Sequence, residues 1–159
     1  MKKLLVLTLA LVMVLSLLTG CGDPVAADLE NFLNVEMVDV NANYEEIKVE
    51  VAKWAEFETL EDYISHVKTS LIPLCDEALG MLANIQPETE EVKAVKDKYV
   101  KVIDLYKEGF GLILTGAETN DEAAITNGTT KIEEAVASLD DYNAALEDLA
   151  AQTGLTIEY

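Results

Sequence analysis

Residues 92–117 read VKAVKDKYVKVIDLYKEGFGLILTGA. Apolar side chains recur at Val92, Val95, Tyr99, Val102, Tyr106, Phe110, Ile113 and Ala117, in alternating steps of three and four. An α-helix turns once per 3.6 residues, so this spacing gathers on one face, and such a face must be buried. The same alternation flanks it on both sides. It runs from Ile125 through Thr129, Ile132, Val136, Leu139, Tyr142, Leu146 and Leu149 to Thr153. Upstream it joins Leu60, Tyr63, Val67, Leu71, Leu74, Ala78, Leu82 and Ile85, and before that Leu29, Leu33, Met37, Val40, Tyr44, Ile47, Val51 and Trp54. Four stripes predict an all-α chain with helices over about 26–57, 60–85, 88–116 and 120–153. Connections this short force neighbouring helices antiparallel, so the expected architecture is an antiparallel up-down four-helix bundle occupying residues 26–155.

Local signals set the boundaries. Thr59 with Asp62, and Thr119 with Glu122, resemble capping boxes, and Gly116 reads as a stop. Pro87 suits the first turn of the third helix, where a missing N–H costs nothing, and Glu88, Glu90 and Glu91 then face the positive end of its dipole. Gly154 followed by Leu155 reads as a left-handed helix terminus. Pro73 falls inside the second stripe, which predicts a kink in that helix. The segment NVEMVDVNAN, residues 34–43, is rich in β-branched residues and asparagine. It leaves open whether 26–57 is one helix or two, although the stripe passes through it in phase. Gly109, Gly111 and Gly128 fall inside helices, where glycine costs roughly 1 kcal/mol relative to alanine. They mark either a close helix crossing or the wall of a ligand pocket.

The N-terminus carries a different signal. Lys2 and Lys3 precede an apolar run from Leu4 to Leu18, broken only by Thr8 and Ser16. Fifteen helical residues rise roughly 22 Å, less than the ~30 Å hydrocarbon core a spanning helix must cross. The layout is that of an export signal. Leu18-Thr19-Gly20-Cys21 at its end resembles the lipobox of bacterial lipoproteins. That resemblance implies cleavage between Gly20 and Cys21, with a diacylglyceryl group on the Cys21 sulfur. Residues 1–20 would be the removed signal peptide and 21–25 a lipidated tether. The body would sit on the extracytoplasmic face of the cell membrane, held by its fatty acyl chains (palmitate and similar). Each buried methylene contributes about 0.8 kcal/mol, so two chains hold where one does not. Cys75 is then left without a disulfide partner, in the apolar setting LIPLC of a small buried thiol.

Composition narrows the chemistry. The chain has 30 acidic residues against 11 lysines, no arginine, and a formal charge of −19. Loss of residues 1–20 would remove two of those lysines and take the charge to −21. Nucleic-acid binding and polybasic contact with anionic lipid both need cations, so neither is expected. His66 is the single histidine. This excludes a carboxylate-bridged di-iron bundle built on two Glu-x-x-His motifs, and any Ser-His-Asp triad would have to use His66. Ser65, Ser70 and Ser138 lie in no nucleophile elbow. Adjacent acids such as Glu133-Glu134 and Asp140-Asp141 straddle a helix surface and do not converge. No catalytic residues, cofactor or metal ligands are therefore assigned. Trp54, Tyr44, Tyr63, Tyr99, Tyr106 and Tyr142 fall on the stripes and read as core.

From Leu60 onward the order of features resembles small helical-bundle lipoproteins of Gram-positive bacteria: a proline within helix two, IQPETEEVK at the turn, TNDEA opening helix four and LAAQTGL closing it. The resemblance implies a bundle and supplies no site residues. The expected function is a non-enzymatic envelope lipoprotein acting through protein contacts. The alternative is a bundle holding a small ligand near Pro73, Gly109 and Gly111.

Overall fold

The computed structural model describes residues 13–15 and 22–158. Among the described residues the chain is all-α apart from one short ladder. Helices α1 (Pro24–Asn31), α2 (Val38–Ala52), α3 (Leu60–His66), α4 (Ile72–Asn84), α5 (Glu90–Thr119) and α6 (Glu122–Thr153) account for the body. Strand β1 (Met13–Leu15) pairs antiparallel with β2 (Thr156–Glu158), with Val14 opposite Ile157. Neither strand was anticipated from the periodicity.

Among the described residues six α-helices replace the four expected, and the reason is local. A π-helical turn at Phe32–Glu36 separates α1 from α2, and another at Val67–Leu71 separates α3 from α4. A π turn holds one extra residue in its loop of backbone, so helix registration breaks without reversal of the chain. Met37 between α1 and α2 keeps right-handed angles (φ −85°, ψ −3°). Within and just after this turn Val35 is 65% exposed, while Phe32, Leu33 and Met37 are buried. A short 3₁₀ turn, Lys53–Ala55, then closes α2.

The helix expected to kink at Pro73 departs from α geometry just ahead of the proline. The departure from α geometry is the π turn ahead of it, where the Ile72 N–H reaches the Val67 carbonyl. Pro73 itself is the second residue of α4, directly after that turn, and contributes no backbone N–H there. Three termini differ from the sequence reading. The third helix starts at Glu90, with Thr89 as its N-terminal cap residue, so Pro87 lies outside its first turn. That helix runs past Gly116 to Thr119 and ends on Asn120, which adopts the left-handed region (φ 56°). The Thr119–Glu122 box does not form. Thr119 remains helical and bonds to the Thr115 carbonyl at 2.7 Å, while the Asp121 carboxylate caps α6 by accepting from the Ala123 and Ala124 N–H groups at 2.9 and 3.1 Å. A carboxylate two residues nearer the helix outcompetes the threonine hydroxyl.

Two expected termini form as read. Thr59 Oγ1 accepts from the Asp62 N–H at 3.1 Å and donates to the Asp62 carboxylate at 2.6 Å. Gly154 is left-handed (φ 74°), and the following Leu155 N–H bonds back to the Ala150 carbonyl at 2.9 Å.

Helix α5 is central and packs on α4, α6, α1 and α3, its longest contact being with α6. The α5–α6 crossing is antiparallel: Tyr99 meets Tyr142, and Gly109 meets Gly128. A Cβ on Gly109 would lie 2.9 Å from the Gly128 carbonyl oxygen, and one on Gly128 would lie 2.7 Å from the Gly109 oxygen. Gly116 is equally confined, 2.7 Å from the Asp121 oxygen, whereas Gly111 faces open space. Close backbone approach accounts for Gly109, Gly116 and Gly128. Around α5 the core holds Tyr44, Tyr99, Tyr106, Phe32 and Phe110, all essentially fully buried.

Candidate functional site

Cys21 and Gly20, the proposed lipidation and cleavage positions, lie outside the described residues. The folded body begins immediately after them. Asp23 caps α1 through its carboxylate, which accepts from the Val25 N–H at 2.9 Å, and its carbonyl accepts from the Ala27 N–H at 3.2 Å. Helix α1 starts at Pro24, two residues before the expected helix start at 26.

The helix ends nearby are held by two charged side chains that sequence reading missed. Asp28 in α1 is 6% exposed and accepts three hydrogen bonds from the start of α5. The donors are the Glu88 N–H (3.1 Å), the Thr89 N–H (2.8 Å) and the Thr89 hydroxyl (2.6 Å). Thr89 provides no side-chain cap of its own, so α5 takes its N-terminal anion from another helix. Lys96 on α5 is 9% exposed and donates to the Ile85 carbonyl at 3.0 Å, satisfying an orphan acceptor at the end of α4. The α4–α5 turn is therefore fixed from both sides. A charged residue beside the apolar stripe was the only available signal, and dozens of surface charges share it.

Around Pro73 there is an open depression of about 220 Å³, lined by Glu46, Glu50, Thr69, Ser70, Pro73, Leu74 and Glu77. Pro73 thus borders a concavity, but Gly109 and Gly111 do not. The wall is acidic, with Asn43 Nδ2 donating to Glu77 at 3.4 Å behind it. Its volume lies below the ~300–1,000 Å³ of ordinary small-molecule sites. Among the described residues, no group of three His, Cys, Asp or Glu side chains converges as a metal site.

His66 is structural in its contacts. Its Nε2 lies 3.1 Å from the Glu50 carbonyl and 3.4 Å from the Glu50 carboxylate, and its ring packs on Phe57 at 4.8 Å. A carbonyl only accepts, so Nε2 carries the proton and ties α3 to the end of α2. Cys75 is buried and free. Burial, reinforced by the Asp76 carboxylate and opposed by Lys107, pushes its thiol up to about 12. A thiol held neutral in this way is a poor nucleophile. Tyr44 and Tyr106 place their hydroxyls 3.4 Å apart inside the core, and the Tyr99 hydroxyl is buried without a protein partner. Desolvation raises all three phenols above their ordinary range. Trp54 and Tyr63 are only half-buried, packed on each other at 5.0 Å.

One face carries exposed aliphatic side chains. Val38 and Val49 (49% and 56% exposed) and exposed Ala42 lie on the outside of α2, Val35 (65%) lies in the π turn just before it, and exposed Glu45 stands among them. Among the described residues no helix is long and apolar enough to cross a membrane. Comparison of the chain with protein-family models, curated proteins and solved structures gives no match.

Proposed function

We propose that the protein is a lipid-anchored extracytoplasmic lipoprotein, tethered through Cys21 after removal of residues 1–20, which acts through protein contacts at the cell envelope and not as an enzyme. Its body would be an antiparallel four-rod bundle, with α1–α2 and α3–α4 each forming one rod through its π turn. The observation that carries the contact role is the exposed valine face of α2. Surface aliphatics scattered singly are ordinary, but Val38, Ala42 and Val49 on one side of α2, with Val35 in the turn ahead of them, favour a partner surface.

Photo-crosslinking from intact membranes tests this, with a crosslinker placed at Ala42 and compared between wild type and a Val38→Glu/Val49→Glu variant. Adducts that vanish in the variant, while its lipidation and helicity persist, are expected. Identical adducts would refute the contact face. Mass spectrometry of the mature N-terminus tests the anchor, since an unmodified Cys21 sulfur contradicts it. A second reading, binding of a small cationic ligand, is supported by the three glutamates lining the Pro73 depression. Calorimetric titration with a diamine, against Glu50→Gln/Glu77→Gln, distinguishes it.

A further inference from the structure

We infer that the end of the body formed by the start of α1, the α4–α5 turn and the residues after α6 lies against the phospholipid headgroups, with Gly22 as the only swivel. This rests on the lipid-anchor reading and goes beyond it by naming the surface that meets the membrane. Asp23 is already committed to capping α1, and Asp28 one turn later is pinned to Glu88 and Thr89. The chain is therefore tied to the α4–α5 turn within the first helical turns after Asp23. Only Gly22 separates Asp23 from Cys21, and Gly22 adopts φ +70°, a conformation that favours glycine.

Two peptide units span at most about 7 Å, comparable with the headgroup layer, which adds roughly 5–8 Å to each side of the hydrocarbon core. The 30 residues of α5 rise about 45 Å by contrast. A lipid on Cys21 thus fixes which end of the rods is near the bilayer. Helix α6 runs antiparallel to α5, so its C-terminus shares the end with the α4–α5 turn. That end presents exposed Gln86, Glu88, Gly154 and Thr156, together with a shallow hollow in which Ala150, Ala151, Leu155 and Ile157 lie between α6 and β2. The α2–α3 connection at Glu56–Thr59 and the α5–α6 turn at Asn120–Asp121 point outward, some rod length away. Removal of residues 1–20 would also take β1 from β2, leaving the Thr156–Glu158 edge free at headgroup level.

The test uses the lipidated protein in phosphatidylcholine vesicles containing a headgroup-nitroxide lipid. A fluorophore is placed on Gln86→Cys or Glu58→Cys, and buried Cys75 serves as the unlabelled background. Quenching should be at least threefold stronger at position 86 than at 58. A 30-residue Gly-Ser insertion between Gly22 and Asp23 should bring the two sites to the same low level. Equal quenching at both sites, or an insertion without effect, overturns the inference when the mass shows lipid on Cys21. A mass showing a bare Cys21 sulfur overturns the anchor reading, and the inference falls with it.

Discussion

Replacing Asp28 by alanine removes the anion that holds the start of α5. Hydrogen bonds to a charged group contribute about 1.5–3 kcal/mol each, and Asp28 accepts three. Their simple sum overstates the loss, because Glu88 is exposed and Thr89 half-buried, so water replaces part of what is removed. Loss of an N-terminal cap alone costs about 0.5–2 kcal/mol. We expect about 3 kcal/mol for Asp28→Ala. Asp28→Asn keeps the volume and one acceptor oxygen but loses the charge facing the helix dipole, and should cost about 1–2 kcal/mol. At roughly 3 °C per kcal/mol for a chain this size, the alanine variant melts about 10 °C lower. Urea unfolding followed by circular dichroism at 222 nm reads the difference, with an unchanged denaturant slope. Thr89→Val removes only the hydroxyl donor, and a double-mutant cycle with Asp28→Ala should show coupling of about 1 kcal/mol. If Asp28→Ala unfolds within about 0.5 kcal/mol of wild type, the trans-capping argument is wrong.

Glycine positions should separate by geometry: Gly128→Ala drives a Cβ into the Gly109 carbonyl and should destabilise by about 2 kcal/mol, whereas Gly111→Ala meets nothing and should stabilise by about 0.5–1 kcal/mol. Thermal melting of the two variants checks the sign of each. Alkaline pH should unfold the protein cooperatively. Burial raises Cys75 from 9.0 and Tyr63 from 10.0 to about 12, and lifts Tyr44, Tyr99 and Tyr106 as well. Folding therefore favours the neutral forms. That stabilisation is intact below about pH 9 and is lost as pH rises through 10 toward 12, each group contributing up to about 1.4 kcal/mol per pH unit. Tyrosinate absorbance at 295 nm from these four tyrosines should rise together with loss of helical signal, and ionisation near pH 10 of more than two of the six tyrosines with helicity intact would contradict the buried cluster. Cys75 should react with a maleimide at least a hundredfold more slowly in the native protein than in urea, and comparable rates would show that the thiol is open.

What the sequence makes legible is the face each helix turns inward. Periodicity reports side-chain direction turn by turn, which is why Tyr99, Tyr106 and Phe110 could be placed in the core. It says little about the backbone's own accounting. A π turn inserts a residue while leaving apolar spacing in phase, so Phe32–Glu36 and Val67–Leu71 were invisible and six helices read as four. Capping signals were legible when donor and acceptor sat within the same turn, as at Thr59–Asp62. They failed where a competing acceptor stood closer, at Asp121, or where the cap came from another helix, at Asp28. Trans-capping depends on which helices become neighbours, and that information arises only after packing. Val35 and Val38 were read only as part of the β-branched segment 34–43, because exposure is likewise a property of the assembled body.

The placement of lysines shows what holds the rods together and what does not. With 30 acids and 11 lysines, most carboxylates have no cation to pair with. Several lysines stand where helices cross: Lys107 reaches Asp76 of α4 at 2.6 Å, Lys131 reaches Glu108 of α5 at 3.6 Å, and Lys68 reaches Glu118 at 3.8 Å. All are solvent-accessible, and such pairs contribute little to stability. The net field of the surface opposes compaction, and added salt screens repulsion among many carboxylates more than it weakens a few pairs. Cohesion must then come from the buried aromatic and aliphatic faces and from the glycine-mediated contact of α5 with α6, neither of which depends on charge. The surface is free to remain strongly acidic because the core does not use it.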